Sequence, residues 1–230
     1  MSRWDLVPVD GRAMRILVDG PERDAAAVVV LEHGPGIDRF IEDRVARLAE
    51  RGWIVAAPDL FHRQPDDGAP PLERVARLRD PELLADLTAT VAYLRARGVT
   101  AMAVIGFCMG GRCTYLAAAA LPDAWRAAGV FYGGNILVPW GDGIPSPFER
   151  SSAIACPMIG FFGNEDPNPS PADVDAIDAE LARLGVPHDF HRYDGAGHAF
   201  LNFTNAERYR PHAADDAWPR LVAFLDAHLS

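Results

Sequence analysis

The chain has little of what several function classes require. It carries three cysteines, an odd number without paired spacing, which fits reduced thiols and a cytoplasmic location better than a disulfide framework. Positive charge is scarce: 22 Lys and Arg stand against 32 Asp and Glu, a net charge of −10 that leaves nothing to neutralise a run of phosphates. A nucleic-acid partner is therefore not expected, and neither is an acidic membrane surface. No apolar run approaches a membrane span, and Met1-Ser2-Arg3-Trp4-Asp5 lacks the apolar core of a secretory signal. Internal repeats, low-complexity linkers, Walker-type loops and dinucleotide-binding glycine patterns are absent too. What the chain does have is an ordinary apolar share of 49% over 230 residues, enough for one sizeable core, and residues 1–230 are read as a single domain.

The hydrophobic pattern predicts an α/β architecture. Two strand-like runs, Leu6–Val9 and Met14–Val18, flank Asp10-Gly11 and read as an antiparallel hairpin. Val28 to Leu31 is continuously apolar, as strands buried on both faces are. Helix and strand patterns then alternate. Ile41 to Arg51 is helical and stopped by Gly52, Trp53–Ala57 is a strand, and Pro81 to Arg97 is a helix. Ala101–Ile105 is a strand, Met109–Ala120 a helix and Ala127–Phe131 a strand. Pro157–Phe162, a helix over Pro171–Leu184, strand-like Asp189–Tyr193 and a last helix to Leu229 complete the series. This alternation implies a mostly parallel central sheet with helices on both faces. Asp66 to Pro71 reads as a loop, and Asn135 to Ser152, rich in Gly and Pro, as an irregular excursion that walls or covers a pocket.

The chemistry-bearing signal is Gly106-Phe107-Cys108-Met109-Gly110, between a predicted strand and a predicted helix. It is a nucleophile-elbow pattern with cysteine at the nucleophile position. A turn this tight strains the nucleophile's backbone and needs glycine on both sides. It also sets the thiol over a helix N-terminus, which favours a thiolate and lets the Met109 N–H face an oxyanion. Downstream come Asp166, in Phe162-Gly163-Asn164-Glu165-Asp166, and His198, in Gly195-Ala196-Gly197-His198, in the order nucleophile, acid, histidine. Taken singly, Asp166 reads equally well as a loop cap and His198 as a surface histidine. Their order and loop contexts join them to Cys108 as a triad at the carboxyl edge of the sheet.

Through these motifs the sequence resembles the dienelactone hydrolase family over nearly its whole length. Leu31-Glu32-His33-Gly34, Ala57-Pro58-Asp59-Leu60-Phe61 and Phe131-Tyr132-Gly133-Gly134 add to the resemblance. It implies the α/β-hydrolase fold, hydrolysis of lactones or activated carboxylic esters, a Cys-His-Asp triad with a thioester intermediate, and no metal or organic cofactor. It also implies that Glu32 holds or helps deprotonate the thiol, against a reading as a structural carboxylate. A backbone N–H near His33 or Gly34 would be the second oxyanion donor. Family members that act on dienelactones grip the substrate carboxylate with arginines, one of them four residues past the histidine. Asn202 stands there, and its neutral amide makes no such charged fork, which points to a less acidic ester or lactone. Arg77 or Arg79 is the candidate for the family's other arginine.

Phe61, His62, Tyr132 and Trp140 are further candidates for the pocket wall, with a solvated loop the competing reading for His62 and a loop anchor for Trp140. Cys113 and Cys156 read as core. His188 and His191, three apart in a strand, face opposite sides and make a poor metal pair. The expected partner is a small-molecule ester or lactone, with monomer and dimer both open. Two other readings stand beside hydrolysis: an acyl transferase or thioesterase-like enzyme with the same triad, and a non-catalytic thiol protein for binding or redox sensing.

Overall fold

The computed structural model describes residues 2–230 and holds one eight-stranded sheet. Strands β1 (Arg3–Val9) and β2 (Arg12–Asp19) form the expected hairpin, with Asp10 and Gly11 both at positive φ in the two-residue turn. β2 then pairs antiparallel with β4 (Ile54–Pro58). From β4 onward the sheet is parallel through β3 (Ala27–Leu31), β5 (Met102–Phe107), β6 (Ala127–Phe131), β7 (Met158–Gly163) and β8 (His188–Tyr193). The inner strands β3 to β7 are buried along their whole length, which is why they read as unbroken apolar runs.

Each face of the sheet carries its own core. On one face pack α1 (Arg39–Ala49) and α6 (Pro211–Leu229), through Phe40, Ile41, Val45, Leu221 and Leu225. On the other pack α3 (Asp80–Arg95), α4 (Met109–Ala120) and α5 (Pro171–Leu184), through Leu83, Leu87, Leu94, Leu116, Ile177 and Leu181. Each such leucine removed from water contributes roughly 1.5–3 kcal/mol. Local signals end the helices where expected: Asp38 caps α1, Ser170 and Asp173 form a capping box on α5, and Gly185 closes α5 in the left-handed conformation. No helix among the described residues is long and apolar enough to cross a membrane.

One element departs from the sequence reading. The loop after Asp66 runs into a short helix, α2 (Pro71–Ala76), none of whose residues is buried. At six residues, with its Leu72 and Val75 left exposed or half-buried, α2 is too short to leave a clear periodic trace in the sequence. It lies against the Gly34 loop, close to the carboxyl ends of β3 and β5. The excursion from Asn135 to Ser152 is irregular as expected, with a 3-10 turn over Phe148–Ala153.

Candidate active site

Cys108 sits between β5 and α4 with φ 58° and ψ −119°, a conformation that a non-glycine residue holds only when its surroundings over-determine it. They do so here. The Cys108 N–H donates to the Phe131 carbonyl of β6 at 3.1 Å, and the Cys108 carbonyl accepts from Gly111 at 3.0 Å. A Cβ on Gly106 would overlap the Gly110 carbonyl oxygen, and one on Gly110 would overlap the carbonyls of Leu31 and Glu32. The two glycines are therefore the geometric condition for the turn.

Asp166 and His198 come from the two loops beside it. Asp166 lies just past β7, is 2% exposed, and places Oδ2 2.8 Å from His198 Nδ1 while Oδ1 accepts from the Asn168 N–H at 2.9 Å. The loops are stitched together: the Glu165 N–H donates to the Ala196 carbonyl at 2.9 Å, and Gly163 is pressed against that same carbonyl. With Nδ1 committed to Asp166, the ring's other nitrogen is left for the thiol.

The electrostatics follow from this contact. Burial alone would raise the Cys108 thiol, but the hydrogen bond and charge of His198, with the backbone N–H groups of Met109 and Gly34, hold it below its ordinary value. Burial likewise disfavours the imidazolium, yet Asp166 and Cys108 together push His198 up to about 10. Cys113 and Cys156 lack such partners, and burial pushes them up to about 12 and about 11. Of the three thiols only Cys108 is held below its ordinary value.

Around this centre the other sequence candidates divide. Met109 and Gly34 supply the two backbone donors facing the sulfur; the His33 ring instead lies 3.0 Å from Asp38, at the start of α1. Tyr132 is buried with its ring 5.3 Å from that of His198, edge to face, so it walls the site. Glu32 is fully buried directly beneath. Its Oε1 accepts from the Leu60 N–H at 2.8 Å, and Oε2 has no hydrogen-bond partner. Burial, with Asp59 adding, drives its pKa well above the carboxylate range despite the Leu60 N–H and Arg74. In this structure Glu32 is bound to the loop after β4 through Leu60, and the side chain paired with the thiol is His198.

The remaining candidates are engaged with other partners. Arg77 is tied to Asp67 and Glu73 on α2 and its approach loop, and Arg79 donates to the Ala76 and Leu78 carbonyls. The arginine turned toward the centre is Arg74, which the sequence reading missed. Its guanidinium lies 4.0 Å over the Phe61 ring and within reach of Glu32 and Gly36. His62 is neither solvated nor at the thiol; its side chain is 3% exposed and packs against Asp86 and Arg63. The Asn202 Oδ1 accepts from the Thr204 N–H and hydroxyl at 3.0 and 2.7 Å, so this residue shapes its own loop. Trp140 stacks on the Arg112 guanidinium at 3.8 Å. His188 and His191 are engaged separately, with Asp178 and with the Phe161 ring.

The comparisons with known proteins agree with this architecture. The family model for the dienelactone hydrolase family matches residues 14–229. The carboxymethylenebutenolidase of Rhodococcus opacus is 32% identical over 210 residues, covering 88% of this chain and 81% of the relative. A candidate carboxymethylenebutenolidase of Synechocystis is 33% identical over 215 residues, 88% of this chain and 86% of that one. Among solved structures, a candidate dienelactone hydrolase of Klebsiella pneumoniae superposes with a TM-score of 0.89 at 26% identity over 98% of each chain. A dienelactone hydrolase-like promiscuous phosphotriesterase from metagenomic libraries shares the fold, with a TM-score of 0.84 at 19% identity over 100% of this chain and 99% of that one. The elbow, the sheet and these relatives converge: the chain belongs to the dienelactone hydrolase family of carboxylic ester hydrolases, on the α/β-hydrolase fold.

Proposed function

We propose that the chain hydrolyses activated esters or lactones through Cys108, His198 and Asp166, by way of a thioester on Cys108. The observation that carries this reading is the pairing of Cys108 with His198, itself held by Asp166 at 2.8 Å, with two backbone N–H groups facing the sulfur. The thiolate attacks the ester carbonyl, and the oxyanion forms between the N–H groups of Met109 and Gly34. Collapse of the tetrahedral intermediate breaks the C–O bond, and the alcohol leaves with the proton from His198. Neutral His198 then takes a proton from water, the hydroxide attacks the thioester, and the acid departs as the thiolate is restored.

Thiolate is itself a good leaving group, so productive collapse needs an alcohol that leaves at least as well. Enol esters, aryl esters and strained lactones meet that condition; alkyl esters and amides do not. If the substrate carries a carboxylate, Arg74 rather than Arg77 is placed to hold it. Hydrolysis of p-nitrophenyl acetate by wild type, Cys108→Ala and His198→Ala tests the reading. Loss of activity in both variants, with fold retained, is the expected result, and activity surviving in Cys108→Ala overturns it.

A further inference from the structure

Between α2 and the excursion after β6 runs a groove of about 610 Å³, within the usual size of small-molecule pockets. Its apolar lining is Leu72, Val75, Leu78, Val138, Pro139 and Trp140, contributed by α2 with the turn after it and by the excursion after β6, while Arg79, Asn135 and Asp142 give the rest a polar character. Much of this apolar surface stands in water: Leu72 is 82% exposed, Val138 47%, and the adjacent Leu137 37%. Exposed apolar residues gathered along one cleft, rather than scattered, mark a binding surface.

Two features tie the groove to the reaction centre and show that it is built. Gly34 turns its N–H to the Cys108 sulfur, and its other side meets α2: a Cβ there would lie 3.4 Å from Pro71 Cβ and 3.7 Å from Val75 Cγ2. Val75 is at once a neighbour of the oxyanion donor and a wall of the groove. The opposite wall is pinned from beneath by Arg112, which is fully buried. Arg112 pairs with both oxygens of Asp80 at 2.6 and 3.0 Å and donates to the Asn135 and Val138 carbonyls at 3.0 and 2.6 Å. Asp80 in turn accepts from the Trp140 N–H at 3.0 Å and donates its own N–H to the Trp140 carbonyl at 2.7 Å. A wall fixed by four hydrogen bonds from the Arg112–Asp80 pair holds its apolar side chains in place before any ligand arrives.

We infer that this groove is a substrate subsite for an extended apolar group, and that the preferred substrate is an activated ester bearing an alkyl chain of several carbons or an aryl-alkyl group. The inference rests on the triad reading and goes beyond it. Helix α2 divides the surroundings of the centre in two, with Arg74 over Phe61 on one side and Leu72 and Val75 on the other. The apolar half of the ester lies along the second side, with its carbonyl at Gly34.

Two ester series on the full chain test this. In p-nitrophenyl acetate to hexanoate the acyl group grows; in phenyl acetate to 4-butylphenyl acetate the alcohol grows. Each buried methylene is worth up to about fourfold, so kcat/KM is expected to rise at least about tenfold in one series. Leu72→Asp and Val138→Asp, at exposed positions, are expected to cut that ratio to below about threefold. Leu6→Asp, the same change at an exposed leucine of β1, keeps the wild-type ratio. Flat profiles in both series, or a rise that survives in the Leu72 and Val138 variants, overturn the groove. A second readout does not depend on turnover. Calorimetry on Cys108→Ala should show p-nitrophenyl hexanoate or 4-butylphenyl acetate binding at least about fivefold more tightly than the short parent ester, and the preference falling in Leu72→Asp/Cys108→Ala. Equal affinities in both pairs overturn the groove while leaving the triad standing, whereas hydrolysis retained by Cys108→Ala overturns the triad.

Discussion

Asp166 Oδ2 and His198 Nδ1 lie 2.8 Å apart, and the carboxylate is buried while the imidazole is partly open. That asymmetry gives each group one task. In the proposed mechanism the carboxylate fixes which nitrogen carries the proton, and the ring remains free to exchange its other proton with the thiol and with water. Asp166→Asn keeps the size and reverses the hydrogen bond. It should lower kcat for p-nitrophenyl acetate by about 10³–10⁴-fold with little change in thermal stability, as steady-state kinetics beside a melting curve would show.

The charge state of the pair sets the pH dependence. Below the lowered pKa of Cys108 the sulfur is protonated and the nucleophile is lost; above about 10 His198 loses its proton and cannot assist the leaving alcohol. A bell-shaped kcat/KM profile is expected, with its acid limb below the ordinary thiol range and its alkaline limb near 10. In His198→Ala the cation that favours the thiolate is gone. The pH at which iodoacetamide alkylates Cys108 should then move upward, measured by rate of mass increase.

Selectivity among the thiols follows from the same causes. Cys113 and Cys156 are buried and pushed up to about 12 and 11, so both stay protonated at neutral pH. Brief treatment with iodoacetamide at pH 7 should add one carboxamidomethyl group, and peptide mapping should place it on Cys108. Labelling of Cys113 or Cys156 at a similar rate would contradict the environments described.

The Arg112–Asp80 pair makes a stability prediction. Arg112→Met leaves Asp80 buried without its cation and frees the Asn135 and Val138 carbonyls. A loss of about 3–5 kcal/mol is expected, roughly 10 °C or more in Tm. Adding Asp80→Leu should recover part of that loss, because the stranded charge is then removed as well.

Much of the fold was legible because burial leaves period and punctuation behind. The helix Met109–Ala120, the strand Ala127–Phe131 and the helix Pro171–Leu184 fall where the sequence places them. That Cys108, Asp166 and His198 come together was readable because the elbow needs glycine at 106 and 110 and because the chain order of the three residues is itself a signal. What surrounds them was not. Helix α2 fully buries none of its residues, so Arg74 could not be told from Arg77, and the two face different neighbours. The Asp80–Arg112 pair spans 32 residues, a separation that no local pattern encodes. His62 has the composition of a loop residue and the environment of a core ion pair, because Asp86 arrives from α3. Asn202 turns its oxygen to Thr204, a local bond that its place four residues past His198 does not announce.

The most direct test of the account is to trap the acyl group. Wild type and Asp166→Asn, mixed rapidly with p-nitrophenyl acetate and quenched in acid, would be analysed by intact mass and peptide mapping. The account predicts a 42-dalton acetyl adduct, a mass fixed by the reagent, on the peptide containing Cys108. It should be labile to hydroxylamine at neutral pH as a thioester is, longer-lived in Asp166→Asn, and absent from Cys108→Ala. Steady turnover of the ester by wild type with an adduct on another residue, or turnover that persists in Cys108→Ala, would contradict it.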